Sequence, residues 1–578
     1  MGKELMLGNA AIARGAYEAG VKVATAYPGT PSTEITEIIS GYPEVYSEWS
    51  PNEKVAYETA LGASLAGVRA MVCMKHVGLN VAADPLFTSA YTGVNGGLVV
   101  VVADDPGMFS SQNEQDTRIY ARAAGIPLLE PSDGAEAKEF VRLAFEMSEK
   151  YDTPVILRTT TRLAHGQSFV QIGERVEPTP LVYIKNPSKY VMMPANAKKR
   201  HIDLENRLIK IGLDCNTMPI NTITYNDKNI GIVCSGIVYQ YVKEALPNAS
   251  VLKLGTVYPL AAELVKEFAA NVGRLIVVEE LEPFIENQLK THGIPCEGKS
   301  LFSRQGELSV NAVRAALDGA ALSPPVDNGL PGRPPVLCAG CPHRGVFYVL
   351  NKLRTTVCGD IGCYTLGALA PLNAVDSVVC MGAGIGMAHG FQKASPDKSN
   401  VVAVIGDSTF IHSGITGLID SVYNKGRTTA IILDNSTTGM TGHQNHPATG
   451  KTIKEEDTVR LDLEALCRAC GARVSTVSAD DIEAIEAIIK RETAIDETSV
   501  IIVKKPCVLL DGKRSSDVYY IDGGACKKCK ACLKIGCPAI ELSDGAVTVS
   551  KETCAACGLC VGLCGFGAIR LKSQNAGR

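Results

Sequence analysis

The chain of 578 residues carries 57 Lys and Arg against 61 Asp and Glu, and 46% of it is hydrophobic. Charge so nearly balanced leaves no global field to draw nucleic acid or a membrane surface, and the length allows roughly three to five domains. With 55 Gly and a single Trp, the composition suits an α/β enzyme rich in tight turns better than a β-sandwich.

The first residues, Met1 to Gly20, read as the start of an amphipathic helix. They lack the continuous apolar stretch and small-residue cleavage site of a signal peptide. The longest apolar runs, such as Leu98–Ala103, are strand-length and far too short to cross a bilayer. A soluble, cytoplasmic protein is the expectation.

From residue 1 to about 180, apolar runs at Val21–Ala26, Met71–Lys75, Leu98–Ala103 and Val155–Thr159 alternate with helical stretches. That alternation predicts a parallel sheet with crossover helices. Three local sequences stand out within it: Tyr27-Pro28-Gly29-Thr30-Pro31-Ser32, Asn52-Glu53-Lys54-Val55-Ala56 leading into a helix of small residues, and Ala121-Arg122-Ala123-Ala124-Gly125. Read by themselves, Glu53 is a first-turn Glu favoured by the helix dipole, and Arg122 is a solvated helix residue.

Residues 181–227 are polar and basic and read as a connecting segment that includes a helix. Residues 228–325 predict a second, smaller α/β unit with strands at Asn229–Ser235, Ser250–Leu254 and Arg274–Glu279. The Pro- and Gly-rich stretch 323–335 marks a domain boundary.

Residues 336–515 predict a third α/β unit, with strands at Ser377–Cys380, Val401–Ile405, Ala430–Leu433 and Ser499–Lys504. Here Gly406-Asp407-Ser408 ends one strand, and 25 residues later Asp434-Asn435-Ser436-Thr437 ends the next. Two such ends lie side by side at the carboxyl edge of a parallel sheet, where ligands bind in these folds. Asp407, Asn435 and a backbone carbonyl at Thr437 would give Mg²⁺ hard oxygens, with diphosphate oxygens and water completing the octahedron. Upstream, the turn through Gly382 and Gly384 into a helix suits close approach of backbone to phosphate. Taken alone, Gly-Asp-Ser is a weak signal, equally a strand-to-helix turn capped by Asp.

The tail, 517–578, holds eight of the 20 Cys. In a chain expected in the cytosol, that density argues for metal rather than disulfides. Cys526-x2-Cys529-x2-Cys532-x4-Cys537-Pro538 is followed by Cys554-x2-Cys557-x2-Cys560-x3-Cys564. This is the bacterial ferredoxin pattern, in which the fourth Cys of each run ligates the other cluster. One [4Fe–4S] cluster would then take Cys526, Cys529, Cys532 and Cys564, and the other Cys554, Cys557, Cys560 and Cys537. The x4 spacing and Gly565, where Pro is usual, depart from the pattern without removing a ligand. Zinc ribbons divide their Cys into two pairs per ion, which these three-plus-one groups do not.

Together these segments resemble, over nearly the whole chain and in one order, the large subunit of the 2-oxoacid:ferredoxin oxidoreductases, and most closely their indolepyruvate branch. Gly406-Asp407-Ser408 through Asp434-Asn435 is similar to the thiamine-diphosphate motif, with Ser408 in place of its third Gly and Asp434 in place of its first Asn. The resemblance implies a multidomain α/β thiamine-diphosphate fold: a pyrimidine-binding domain at 1–180, a transketolase-C-like domain at 228–325, a diphosphate-binding domain at 336–515 and a ferredoxin-like domain with two [4Fe–4S] clusters at 517–578. It makes Glu53 the carboxylate that activates the cofactor, a role needing a dry, protonatable setting. It makes Thr30 a substrate contact and Arg122 the partner of the 2-oxoacid carboxylate. Cys338, Cys341, Cys363 and the nearby Cys358 fall where several relatives hold a third cluster. No downstream fourth ligand is apparent, so they read as packing thiols at the cofactor mouth, with His343 a candidate contact. The implied reaction joins a 2-oxoacid and coenzyme A, giving acyl-CoA, CO₂ and reduced ferredoxin. A smaller β subunit and an α₂β₂ assembly are expected with it.

Overall fold

Leu98–Asp104 is buried along all seven residues and is the middle strand of a seven-stranded sheet in the computed structural model of the chain. The order across that sheet is Thr256–Tyr258, Leu128–Leu129, Val155–Thr160, Leu98–Asp104, Ala70–Lys75, Val23–Ala26 and Tyr46–Trp49. Every pairing is parallel except that of Thr256–Tyr258 with Leu128–Leu129. A parallel strand covered on both faces needs no polar side, which is why Leu98–Ala103 reads as an unbroken apolar run. The structure describes residues 2–319, 329–330, 332, 334–395, 400–510 and 517–572. They divide into two units, Met1–Asn328 and Gly329–Arg578. Much of the 323–335 stretch lies outside the described residues.

The first unit holds a second sheet, ordered Arg274–Val278, Asp227–Ser235, Ala249–Leu254, Thr222–Thr224, with only the last antiparallel. A buried polar seam joins the two sheets. Arg118 donates to Asp116 and to Glu279 at 2.7 Å, and Arg158 donates to Asp104 at 2.6 Å and to Glu130. Ser235 in turn donates to Glu130. Removing one member would leave an unpaired buried charge. The connecting segment carries the 22-residue helix Pro194–Cys215, whose Arg207 donates to the carbonyl of Ala90.

The N-terminus differs from its sequence reading. Lys3–Leu7 is a strand paired antiparallel with Gln167–Gln171, and the helix begins only at Gly8. An added Cβ at Gly8 would stand 2.0 Å from the Leu163 carbonyl, so the chain turns there against a neighbouring backbone.

The second unit carries a five-stranded, all-parallel sheet ordered Thr356–Cys358, Val401–Gly406, Thr429–Asp434, Ser499–Lys504, Arg473–Ser478. Ser377–Cys380 is not a strand. Ser377 makes a single bridge to Cys358, and Val375 and Val378 pack over Gly359 instead of extending a ladder. The edge strand is Thr356–Cys358. In the tail, Tyr519–Ile521 pairs antiparallel with Ile569–Leu571, and Ile540–Ser543 with Ala546–Val549. Among the described residues no helix is long and apolar enough to cross a membrane.

Candidate active site

Glu53 opens the helix Glu53–Leu65 directly after Asn52, whose side chain caps it by accepting from Val55 N at 2.9 Å. The buried residues Glu53, Ala56, Tyr57, Ala60 and Ser64 follow helical spacing. One stripe therefore carries both the packing residues and the carboxylate inward. Glu53 is 4% exposed, which a solvated first-turn Glu would not be. Its carboxylate lies against Gly78, where a Cβ would come within 2.6 Å of Glu53 Oε1. Gly78→Ala should displace that carboxylate and lower turnover by about 10- to 100-fold, with little change in melting temperature. Steady-state kinetics beside a thermal melt checks this.

Thr30 sits in a turn fixed from both sides. Ser32 donates to the Gly29 carbonyl at 2.8 Å, Asn9 to that of Pro31 at 2.7 Å, and Ser110 to that of Thr30 at 3.3 Å. Sequence reasoning missed the cation at this turn. Lys75 ends a strand at the carboxyl edge, runs along Gly29 and donates to the Ser110 carbonyl at 2.8 Å. Burial pushes its ammonium down to about 8 against the opposing pull of Asp105 and Glu53. The signal was its place at the end of a buried strand. Arg122 is exposed, with its guanidinium 6.0 Å from the Phe284 ring and its charge felt by Tyr258.

In the second unit, adjacent strand ends bring Asp407, Asn435 and Thr437 together, all buried. The end of the Asn435 amide lies 3.1 Å from Asp407 Oδ1 and 2.9 Å from the Thr437 carbonyl. With its oxygen turned that way, three oxygens face one another with no proton between them, the arrangement a divalent cation resolves. Turned over, the amide would donate to both. Asp407 also accepts from Ser408 N at 2.9 Å and Ser436 N at 2.8 Å, and His446 Nε2 lies 3.3 Å from it. Burial, and then the charge of Asp407, holds Asp434 above the usual carboxylate range. A cation at this edge would relieve that repulsion. Thr438 donates to Ser408 Oγ at 3.0 Å. Gly406 admits no side chain, because a Cβ there would stand 2.6 Å from the Tyr364 ring. His343 is buried, edge-on to Tyr364 at 6.0 Å, and burial pushes it down to about 4 although Asp407 opposes this. It is a neutral imidazole at neutral pH.

Gly382 and Gly384 depart from their expected role. Their amides donate to Asp360 at 2.9 and 3.1 Å rather than standing open to phosphate. Burial pushes that carboxylate up to about 6. Gly382 is required for another reason, a φ of +86° and a would-be Cβ 2.6 Å from Ser413.

The tail thiols fall into two sets. A pocket is lined by Cys526, Cys529, Cys532 and Cys564, and Cys532, pushed up by burial, also feels the other three. Cys560, pushed up to about 12 by burial, feels Cys557, Cys537 and Cys554. Both halves repeat one backbone turn: Lys528 and Lys530 have positive φ, as do Ala556 and Gly558. In each half an amide two residues on meets the first sulfur, Lys528 N on Cys526 and Ala556 N on Cys554, each at 3.4 Å. Among the described residues no group of three or more His, Cys, Asp or Glu is arranged to hold a metal ion.

A third set forms around Cys507, which sequence reasoning missed. Burial raises the thiols of Cys341, Cys363 and Cys507; Cys341 feels Cys363 and Cys338, Cys363 feels Cys507 and Cys338, and Cys507 feels Cys338. Cys507 N donates to the Asn435 carbonyl at 2.9 Å, which fixes Cys507 beside the Asp407 site. The fourth thiol comes from beyond the Ser499–Lys504 strand, far from the Cys338-x2-Cys341 turn in sequence, and only the sheet brings it back.

Two family models match the chain: the pyruvate flavodoxin/ferredoxin oxidoreductase thiamine-diphosphate-binding domain at residues 14–224, and the C-terminal thiamine-pyrophosphate-binding domain of thiamine pyrophosphate enzymes at 360–503. With the fold and the Asp407 site, they define a thiamine-diphosphate-dependent oxidoreductase of 2-oxoacids. The chain is 40% identical to the indolepyruvate oxidoreductase subunit IorA of Archaeoglobus fulgidus, over 99% of this chain and 98% of that one. To the subunit IorA of Pyrococcus horikoshii it is 41% identical, over 98% and 96%. The chain belongs to the family of the indolepyruvate oxidoreductase subunit IorA.

Proposed function

We propose that this chain, with a smaller partner subunit, oxidatively decarboxylates an aryl 2-oxoacid, indolepyruvate, in the presence of coenzyme A. The products are the aryl-acetyl-CoA and CO₂, and two electrons leave through [4Fe–4S] clusters to ferredoxin. The observation that carries the reading is the meeting of Asp407, the Asn435 amide and the Thr437 carbonyl at adjacent strand ends. The substrate follows the relatives named for indolepyruvate. Coenzyme A, ferredoxin and an α₂β₂ assembly follow the family resemblance.

Bound thiamine diphosphate supplies the electron sink that lets CO₂ leave a 2-oxoacid. Asp407, Asn435 and the Thr437 carbonyl would hold the Mg²⁺ that anchors its diphosphate, beside Gly406 and Ser408. Glu53 would hold a proton at the pyrimidine ring. Thr30 and Lys75 would face the 2-oxoacid, with Arg122 for its carboxylate and His343 as a neutral donor or acceptor.

The three thiol sets would hold three clusters: Cys526, Cys529, Cys532 and Cys564; Cys554, Cys557, Cys560 and Cys537; and Cys338, Cys341, Cys363 and Cys507. The anaerobically purified chain should then carry about 12 iron atoms. Cys507→Ser should lose about four of them while thiamine diphosphate still binds, as iron analysis would show. A wild-type value near eight would confine the clusters to the tail.

Product analysis tests the function. Indolepyruvate with coenzyme A and two equivalents of oxidised ferredoxin should yield indoleacetyl-CoA and CO₂ in equal amounts, with both ferredoxins reduced. Release of CO₂ with a free aldehyde and no coenzyme A consumed would identify a non-redox decarboxylase instead.

A further inference from the structure

Arg344 is 2% exposed and opens the helix Arg344–Leu353 directly after Cys341-Pro342-His343. Every described hydrogen bond of its guanidinium ends on a backbone carbonyl, and none on a carboxylate. Nε donates to Cys338 O at 3.1 Å and Nη2 to Leu337 O, both in the first cysteine turn. Nη1 donates to Ile535 O at 3.2 Å and to Gly536 O, the two residues before Cys537. One side chain thus ties the turn bearing Cys338 and Cys341 to the loop bearing Cys537. The same two cysteine regions touch a second time at Gly340, where a Cβ would stand 2.7 Å from Ala555 Cβ, 3.1 Å from Val508 and 3.7 Å from Cys557 Cβ.

A buried guanidinium without a carboxylate is costly unless another negative charge stands close. Carbonyl dipoles satisfy its hydrogen bonds but leave its net charge uncancelled. Its hydrogen bonds end on the carbonyl of Cys338 and on that of Gly536 beside Cys537, so it stands between two of the cysteine sets. Metal-bound thiolates are deprotonated, so clusters in those sets would supply the missing negative charge.

We propose that Arg344 is the counter-charge shared by the cluster of Cys338, Cys341, Cys363 and Cys507 and the cluster of Cys537, Cys554, Cys557 and Cys560. In that position it raises the reduction potential of one or both and so favours electron passage between them. The inference rests on the cluster reading above. Its physical basis is that reduction adds a negative charge to a cluster, and a fixed cation in a low-dielectric setting stabilises the reduced form more than the oxidised one. Arg344 is a positioning residue; it touches neither substrate nor thiamine diphosphate in this account.

The test is an EPR-monitored redox titration of the anaerobically purified complex, beside iron analysis, for wild type, Arg344→Lys, Arg344→Gln and Arg344→Met. Arg344→Gln keeps some hydrogen bonds but no charge, whereas Arg344→Lys keeps the charge but fewer hydrogen bonds. At a fixed potential, Gln and Met should lower the reduced-to-oxidised ratio of at least one cluster about tenfold, which is about 59 mV for a one-electron couple. Lys should stay near wild type. Loss of iron in Gln and Met but not in Lys would also support a charge role. Unchanged potentials in iron-replete Gln and Met overturn the proposal, as does equal loss of iron in Lys, which would make Arg344 a structural tie alone. A wild-type chain without iron sinks the cluster reading and this inference together; iron-loaded wild type with unmoved potentials sinks only this one.

Discussion

Glu53→Gln is expected to lower turnover on the order of 10³-fold while iron content and thiamine-diphosphate binding stay unchanged. The substitution keeps the size and hydrogen-bonding reach of the side chain but removes its ability to give and take a proton as an acid. The helix need not pay for the change, because Asn52 rather than Glu53 caps it. Burial against Gly78 fixes the carboxylate in one place. Steady-state turnover with matched iron and cofactor assays checks the expectation. Normal turnover would remove Glu53 from the chemistry and leave it a buried packing residue.

The second large effect is expected at Asp407. Asp407→Asn should weaken thiamine diphosphate with Mg²⁺ by more than about 100-fold, measured by calorimetry on the apo chain, and leave cluster iron intact. The apo variant loses one acceptor, because Asp407 accepts Ser408 N on Oδ1 and Ser436 N on Oδ2, so each variant is compared with its own apo form. Ligand at 100 times its dissociation constant stabilises a fold by about 2.7 kcal/mol. Wild type should gain that in a melt and Asp407→Asn should gain little. Equal gains would place the cation elsewhere.

What could be read in the sequence was whatever local spacing encodes. The buried parallel strands announce themselves as apolar runs, and Asp407 and Asn435 stand at the ends of two such runs that pair directly, Gly406 opposite Leu433. In the tail, spacing alone suggests the two cysteine sets, and Cys526, Cys529, Cys532 and Cys564 line one pocket. Long-range partners were not legible. Cys507 joins Cys338, Cys341 and Cys363 only through the sheet, and Lys75 meets Gly29 only because two strands end at one edge. Gly382 and Gly384 looked open to phosphate because nothing local reveals that Asp360 takes their amides. Val378 and Val379 resembled a strand by composition, yet Val378 packs on Gly359 and Val379 is half exposed. Arg122 shows the limit of a borrowed role: its guanidinium stands over the Phe284 ring, so its part in binding the acid rests on resemblance.

The central claim is tested most directly by anaerobic reduction of a viologen dye by the chain co-purified with its smaller subunit. The assay runs across indolepyruvate, phenylpyruvate, phenylglyoxylate, pyruvate and 2-oxoglutarate, with and without coenzyme A. Coenzyme A-dependent reduction, fastest with indolepyruvate, is the expected result. No dye reduction with any acid, from protein loaded with its clusters and thiamine diphosphate, would contradict it.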